Sequence, residues 1–177
     1  MDLEATLRDL APRVLRYCSG RAGDPVLGEE IAQEAMTALV KRVRRQGWPD
    51  SAEAFVFTIA RRRLGRTLFR RRWTQPLETL LEQPGAGLDE RPDPERTALA
   101  VDELAAVREG LDRLSGRERE ALLLVAAGEL STADAAKVLG ISKSALKMRV
   151  HRARQNLTEL LEKPTWNKKN APTTTST

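Results

Sequence analysis

Apolar residues recur along this chain at intervals of three and four, the period of helices that bury one face. Leu3, Leu7, Leu10, Val14 and Tyr17 predict a first amphipathic helix, bent or restarted at Pro12 and ended by Gly20 and Gly23. Asp24 and Pro25 open a second helix, the aspartate as cap and the proline in the first turn. Leu27, Ile31, Ala35, Leu39 and Val43 line its inner face, and Gly47 closes it. Asp50 and Glu53 stand at capping-box spacing before a third, long helix with the stripe Val56, Ala60, Leu64 and Leu68. The period then lapses across a stretch holding Pro76, Pro84, Gly85, Gly87, Pro92 and Pro94, which has the composition of a linker. Leu77, Leu80 and Leu81 are candidates for local docking within it. The pattern resumes on Ala100, Leu104, Val107, Leu111 and Leu114, and a capping box at Ser115 and Glu118 starts a helix through Leu122 and Val125 to Gly128.

The next stretch is the most informative. Ser131 and Asp134 have capping-box spacing, with Asp in the place of Glu, ahead of a short helix from about Thr132 to Leu139. Gly140 permits a left-handed turn, and Ser142 can cap the helix that follows. On that helix Leu146, Val150, Ala153 and Leu157 fall on one stripe. Lys143, Lys147 and Arg154 border it on one side, Arg149 and Arg152 on the other, and Ser144, Met148, His151 and Gln155 lie opposite the core. A slim ridge between two cationic flanks suits a helix lying in a DNA major groove. Ala136 is small where two helices would cross, and Leu146 is apolar where the second would seat. A basic helix alone is usually a solvated surface. The conjunction of cap, turn glycine, small residue and double flank points instead to a DNA-binding helix-turn-helix.

The predicted fold class is all-α: two small helical domains joined by an acidic linker that contains Pro and Gly. The divisions are 1–73, a linker over 74–98, a four-helix domain over 99–163 with the helix-turn-helix, and a disordered tail over 164–177. Trp166, beside the tail, either packs back or recognises something. Charge follows the same plan. Residues 1–75 hold 15 Lys/Arg against 9 Asp/Glu, residues 76–114 hold 4 against 10, and residues 115–177 hold 11 against 6. Two basic units around an acidic middle imply polyanion binding at two places. The third helix carries Arg61, Arg62, Arg63, Arg66, Arg70, Arg71 and Arg72, with no acid between Glu53 and Glu78. Arg62, Arg66 and Arg70 stack at i, i+4 spacing, an arrangement that repels itself unless a polyanion lies alongside.

Cys18 and His151 are single, so no intramolecular disulfide is available, no metal site is expected and no cofactor is implied. Cys18 sits in an apolar pattern and reads as a small core residue. With no signal-peptide pattern and no apolar run long enough for a bilayer, a soluble cytoplasmic protein without membrane insertion is expected.

Three stretches together resemble bacterial RNA polymerase sigma factors of the extracytoplasmic-function group, within the sigma-70 family. LSGREREALLLVAAGELSTADAAKVLGISKSALKMRVHRARQNL, residues 114–157, resembles region four. EEIAQEAMTALVKRV, residues 29–43, resembles the region-two helix that grips the polymerase clamp, and AFVFTIARRRLGRTLFRRR, residues 54–72, the helix that meets the minus-ten element. The resemblance implies a non-enzymatic initiation factor whose partners are core RNA polymerase and promoter DNA as duplex and as melted strand; many members of the family also have an anti-sigma factor, whose existence here the sequence does not give. It places core polymerase contact at Glu30, Gln33 and Glu34. The minus-ten side falls to Trp48, Arg62, Arg63, Arg66 and Arg70, where Trp48 either stacks on an unstacked base or covers the core. In the helix-turn-helix, Ser142, Lys143, Ser144, Lys147, Met148, Arg149, His151 and Arg152 are the DNA-binding candidates. Lys143, Ser144, Lys147 and Met148 are expected to read base edges of the minus-thirty-five element, while Arg149 and Arg152 suit phosphates or the domain's own acids. The implied acidic linker threads a channel built for RNA. The family often has Asn where Arg62 stands and Asp where Arg66 stands, which implies altered minus-ten base choice and more backbone contact. Ser115 replaces a common Pro and still supplies a cap.

The rival reading is a helix-turn-helix repressor or activator independent of polymerase. It explains the second domain but neither the clamp-like helix nor the acidic linker. A magnesium-dependent nuclease is remoter, because no carboxylates converge in the sequence.

Overall fold

A computed structural model describes residues 2–74 and 107–162. Among these are seven helices and no strand: α1 (Leu3–Ala22), α2 (Pro25–Gln46), α3 (Ala52–Thr74), α4 (107–113), α5 (Gly116–Ala126), α6 (Thr132–Leu139) and α7 (Lys143–Glu162). The linker expected after residue 74, the apolar positions Leu77, Leu80, Leu81, Ala100 and Leu104, the tail over 164–177 and Trp166 lie outside the described residues.

Local chemistry sets most of the helix ends. Asp24 accepts from the Leu27 amide at 3.1 Å with Pro25 in the first turn of α2. Ser115 and Glu118 form a reciprocal capping box on α5. Three expectations shift. α1 runs unbroken through Pro12. Pro12 is exposed, so the Arg8 carbonyl that loses its helical partner can be hydrated. Gly20 lies inside α1, and Gly23 alone ends it. The cap of α3 is Ser51, whose hydroxyl accepts from the Ala54 amide at 3.0 Å, rather than Asp50 one residue earlier.

α1, α2 and α3 pack around Leu10, Val14, Tyr17, Leu39, Val56, Phe57, Ala60 and Leu64, all nearly inaccessible to water. Tyr17 and Phe57 form a tilted ring pair with centroids 5.4 Å apart. Cys18 is buried there too, and burial pushes its thiol up to about 12. In the second group α5, α6 and α7 close over Ala121, Leu124, Ala135, Leu146 and Ala153. The two groups are not separate bodies. α1 packs on α5 and α3 on α6, so the buried apolar residues form one continuous cluster.

Candidate nucleic-acid interface

The turn between α6 and α7 is built by backbone hydrogen bonds. Gly140 is left-handed, with φ 66°, and its amide donates to the Lys137 carbonyl at 3.2 Å. The Ile141 amide donates to the Ala136 carbonyl at 3.1 Å, completing a Schellman closure. Ser131 caps α6 by accepting from the Asp134 amide at 3.1 Å. The return bond differs from a full capping box: the Ser131 hydroxyl donates to the Asp134 carboxylate at 2.7 Å. Asp is one methylene shorter than Glu, so its carboxylate meets the hydroxyl rather than the Ser131 amide.

Ser142 starts α7, accepting from the Ala145 amide at 3.1 Å, with its hydroxyl 3.0 Å from that of Ser144. Leu146, Val150 and Ala153 are buried and fix the rotation of α7 about its axis. That rotation exposes Ser142, Lys143, Ser144, Lys147, Met148, His151 and Arg152, and leaves Arg149 half-buried. Met148 is 54% exposed at the centre of this face. The eight helix-turn-helix candidates therefore share one helix and its cap, with cations on both sides of a slim ridge.

The other candidates lie on α2, α3 and the loop between them. Arg62, Arg63, Arg66 and Arg70 are exposed on α3. Glu30 and Gln33 are exposed on α2, and Gln33 donates to Glu29 at 3.1 Å. Glu34, half-buried, forms an ion pair with Arg63. A candidate for polymerase contact and a candidate for DNA contact thus hold each other. Trp48 is half-buried against the core. Next to it Pro49, Asp50, Ser51, Phe55 and Arg62 line a cleft of about 360 Å³, whose far wall includes Lys137 of α6. Besides Arg63, other arginines on α3 are engaged within the molecule, Arg71 with Asp24 at 2.9 Å and Arg61 with Glu120 of α5 at 3.2 Å.

One residue the sequence reading passed over is Arg13. It is 8% exposed, the only buried charged residue among those described. Burial pulls its guanidinium down, but Asp9 at 2.7 Å and Glu53 at 3.2 Å outweigh this, and the net direction is up. The signal was present: Arg13 sits between Leu10 and Val14, on the apolar face of an amphipathic helix. Among the described residues no three or more His, Cys, Asp or Glu are grouped to hold a metal ion. No described helix is long and apolar enough to cross a membrane.

Two family models match the chain. The family "Sigma-70 region 2" matches residues 6–74, and "Sigma-70, region 4" matches residues 104–157. The ECF RNA polymerase sigma factor ShbA of Streptomyces griseus is 33% identical over 176 residues, covering 91% of this chain and 90% of the relative. The ECF RNA polymerase sigma factor SigD of Mycobacterium tuberculosis is 31% identical, covering 88% of this chain and 74% of the relative. Among solved structures, the sigma factor RpoE in complex with the anti-sigma factor NepR, from Bartonella quintana, superposes with a TM-score of 0.68 at 23% identity, covering 89% of this chain and 95% of that one. CnrH in complex with the cytosolic domain of CnrY superposes with a TM-score of 0.62 at 21% identity, covering 90% and 86%. These structural likenesses concern the fold.

Proposed function

The chain belongs to the extracytoplasmic-function group of sigma-70 RNA polymerase sigma factors, and from that premise we propose how its residues divide the work of promoter-specific initiation. The observation that carries the division is the order of two matched regions, each with an exposed cationic helix: α3 in the first and α7 in the second.

The first domain binds core polymerase through Glu30, Gln33 and Glu34 on α2. It meets the minus-ten element through Arg62, Arg63, Arg66 and Arg70, with Trp48 beside the cleft at the start of α3. Four guanidiniums on one helix grip phosphates on both sides of a melted segment, because phosphate contact needs charge rather than base identity. The second domain lays α7 in the major groove of the minus-thirty-five element. Lys143, Ser144, Lys147 and Met148 face base edges, since the N-terminal part of a recognition helix penetrates deepest. Ser142, Arg149, His151 and Arg152 hold the backbone. No bond in DNA or protein is made or broken by this factor. Binding energy from two DNA contacts and the polymerase surface melts a short promoter segment. Tethering both readers to one enzyme raises effective concentration, so neither has to bind tightly alone. The setting is cytoplasmic, where polymerase and promoter are. An anti-sigma factor belongs to the proposal, as RpoE is seen with the anti-sigma factor NepR.

The test is to mix the purified chain with bacterial core polymerase on a size-exclusion column, then transcribe a genomic promoter pool. Co-elution with discrete transcript starts is expected. Tight duplex binding without co-elution would replace this reading with that of a polymerase-independent repressor or activator.

A further inference from the structure

The outer face of α7 is not uniformly polar. Ala145 and Met148 are both exposed on it, with Lys143, Lys147 and Arg152 around them. Residues three apart on a helix are surface neighbours. Long side chains on a helix lean toward its N-terminus, so Met148 reaches back over the turn that carries Ser144 and Ala145. The Ser144 hydroxyl lies 3.0 Å from that of Ser142, so part of its hydrogen bonding is turned inward to the cap of the helix. The Ala145 amide is satisfied by the Ser142 hydroxyl at 3.1 Å. A short strip of methyl and thioether surface therefore runs between the cationic flanks, over the first two turns. Leu146 and Val150 are buried, so α7 cannot roll to hide the strip without giving up its seat on the core.

The major groove narrows what such a strip can read. Every base pair presents donors and acceptors there, and the one apolar group is the C5 methyl of thymine. Lys143 and Lys147 can answer acceptors such as guanine O6 and N7. Met148 has no hydrogen to donate, and its sulfur is a weak acceptor. Pressed on a cytosine amino group or a guanine O6, it would displace water and return no adequate hydrogen bond, which is costly. Pressed on a thymine methyl, it takes apolar surface out of water on both partners. Its unbranched side chain has three rotatable bonds with which to follow that methyl. Ala145, small and apolar beside it, keeps the approach open.

We propose that Met148, backed by Ala145, selects a T·A pair in the minus-thirty-five element by covering the thymine C5 methyl. This rests on the placement of α7 in that groove given above, and it assigns one base where that reading assigns only a helix. The neighbouring lysines choose by hydrogen bond; Met148 chooses by an apolar contact that only thymine can return.

The experiment removes the methyl and nothing else. Fragments carrying a promoter found in the transcription assay are remade with deoxyuridine for each thymidine of the minus-thirty-five element in turn, on either strand. Deoxyuridine keeps O4 and its pairing with adenine. Binding of the holoenzyme is measured by competition with the unmodified fragment. If the chain binds duplex DNA without polymerase, the same series is run on that duplex, so the contact is tested under either reading. One position is expected to respond, wild type losing roughly fourfold in affinity, the worth of one buried methyl. Met148→Ala should bind the thymidine and deoxyuridine forms equally, and Met148→Leu should keep the difference. A parallel series exchanges whole base pairs. If base-pair exchange alters binding but methyl removal has no effect at any position, the Met148 proposal is overturned while base reading by α7 stands. Discrimination that persists in Met148→Ala gives the methyl to another side chain and overturns it as well. If neither series alters binding, α7 reads no bases, and the base-edge assignment falls with the proposal.

Discussion

Asp24 joins two interactions in one carboxylate. The Leu27 amide and then Arg71 hold it below the ordinary carboxylate value. Because the folded value is lowered, its contribution is fully present above the unfolded value of about 3.9 and is lost as pH falls through the folded value. Asp24→Ala should therefore cost about 1 kcal/mol at pH 7, the usual worth of an N-cap. The deficit should shrink as pH drops below that of an unfolded aspartate. Asp24→Asn should keep most of the cap while losing the pH dependence. Urea midpoints at pH 7 and pH 3 check both; an equal deficit at the two pH values would remove the charge from the account. The cap was readable in advance because a capping bond spans three residues. Arg71 as its second partner was not, since that contact crosses from α3 to α2.

At the scale of helices, periodicity placed the stripes correctly: Leu27, Ile31, Ala35 and Leu39 are buried, as are Val56, Ala60 and Leu64, and Leu146, Val150 and Ala153. Adjacent cappers are harder to rank. Asp50 and Ser51 both suit an N-cap, and residue preference does not decide between them. The roles of α3 and α7 separate in one comparison. Arg66→Ala with Arg70→Ala removes two charges from the helix assigned to the melted segment, so open-complex formation should fall about tenfold or more while minus-thirty-five binding stays near wild type. Lys147→Ala should do something different in kind: change preference among minus-thirty-five sequences, because a lost base-edge bond costs roughly 1–3 kcal/mol at one position only. Permanganate footprinting and a promoter-variant panel measure the two. Equal loss of both activities in the arginine variant would count against separate roles, and a uniform loss across promoters would make Lys147 a phosphate contact.

Over the whole molecule, the sequence divides where the charge does, yet the described residues pack into one cluster. Nothing local announces this. Arg13 and the Gly128 carbonyl are 115 positions apart, and Gly128 reads in sequence only as the end of a helix. The clue was a cation on a buried stripe, whose cost demands partners that the first domain only partly supplies. The consequence is thermodynamic. Phe57 belongs to the first core but presses on Gly128 of the second, so neither half can unfold without exposing apolar surface on the other. The free chain should melt in a single calorimetric transition, with van't Hoff and calorimetric enthalpies equal. Gly128→Ala drives a methyl into the Phe57 ring and against the Leu124 carbonyl of α5 itself, so it should separate that transition into two, the second-half transition falling in temperature as well. Two transitions already present in the wild type would mean that the halves are joined by the chain and not by the interface.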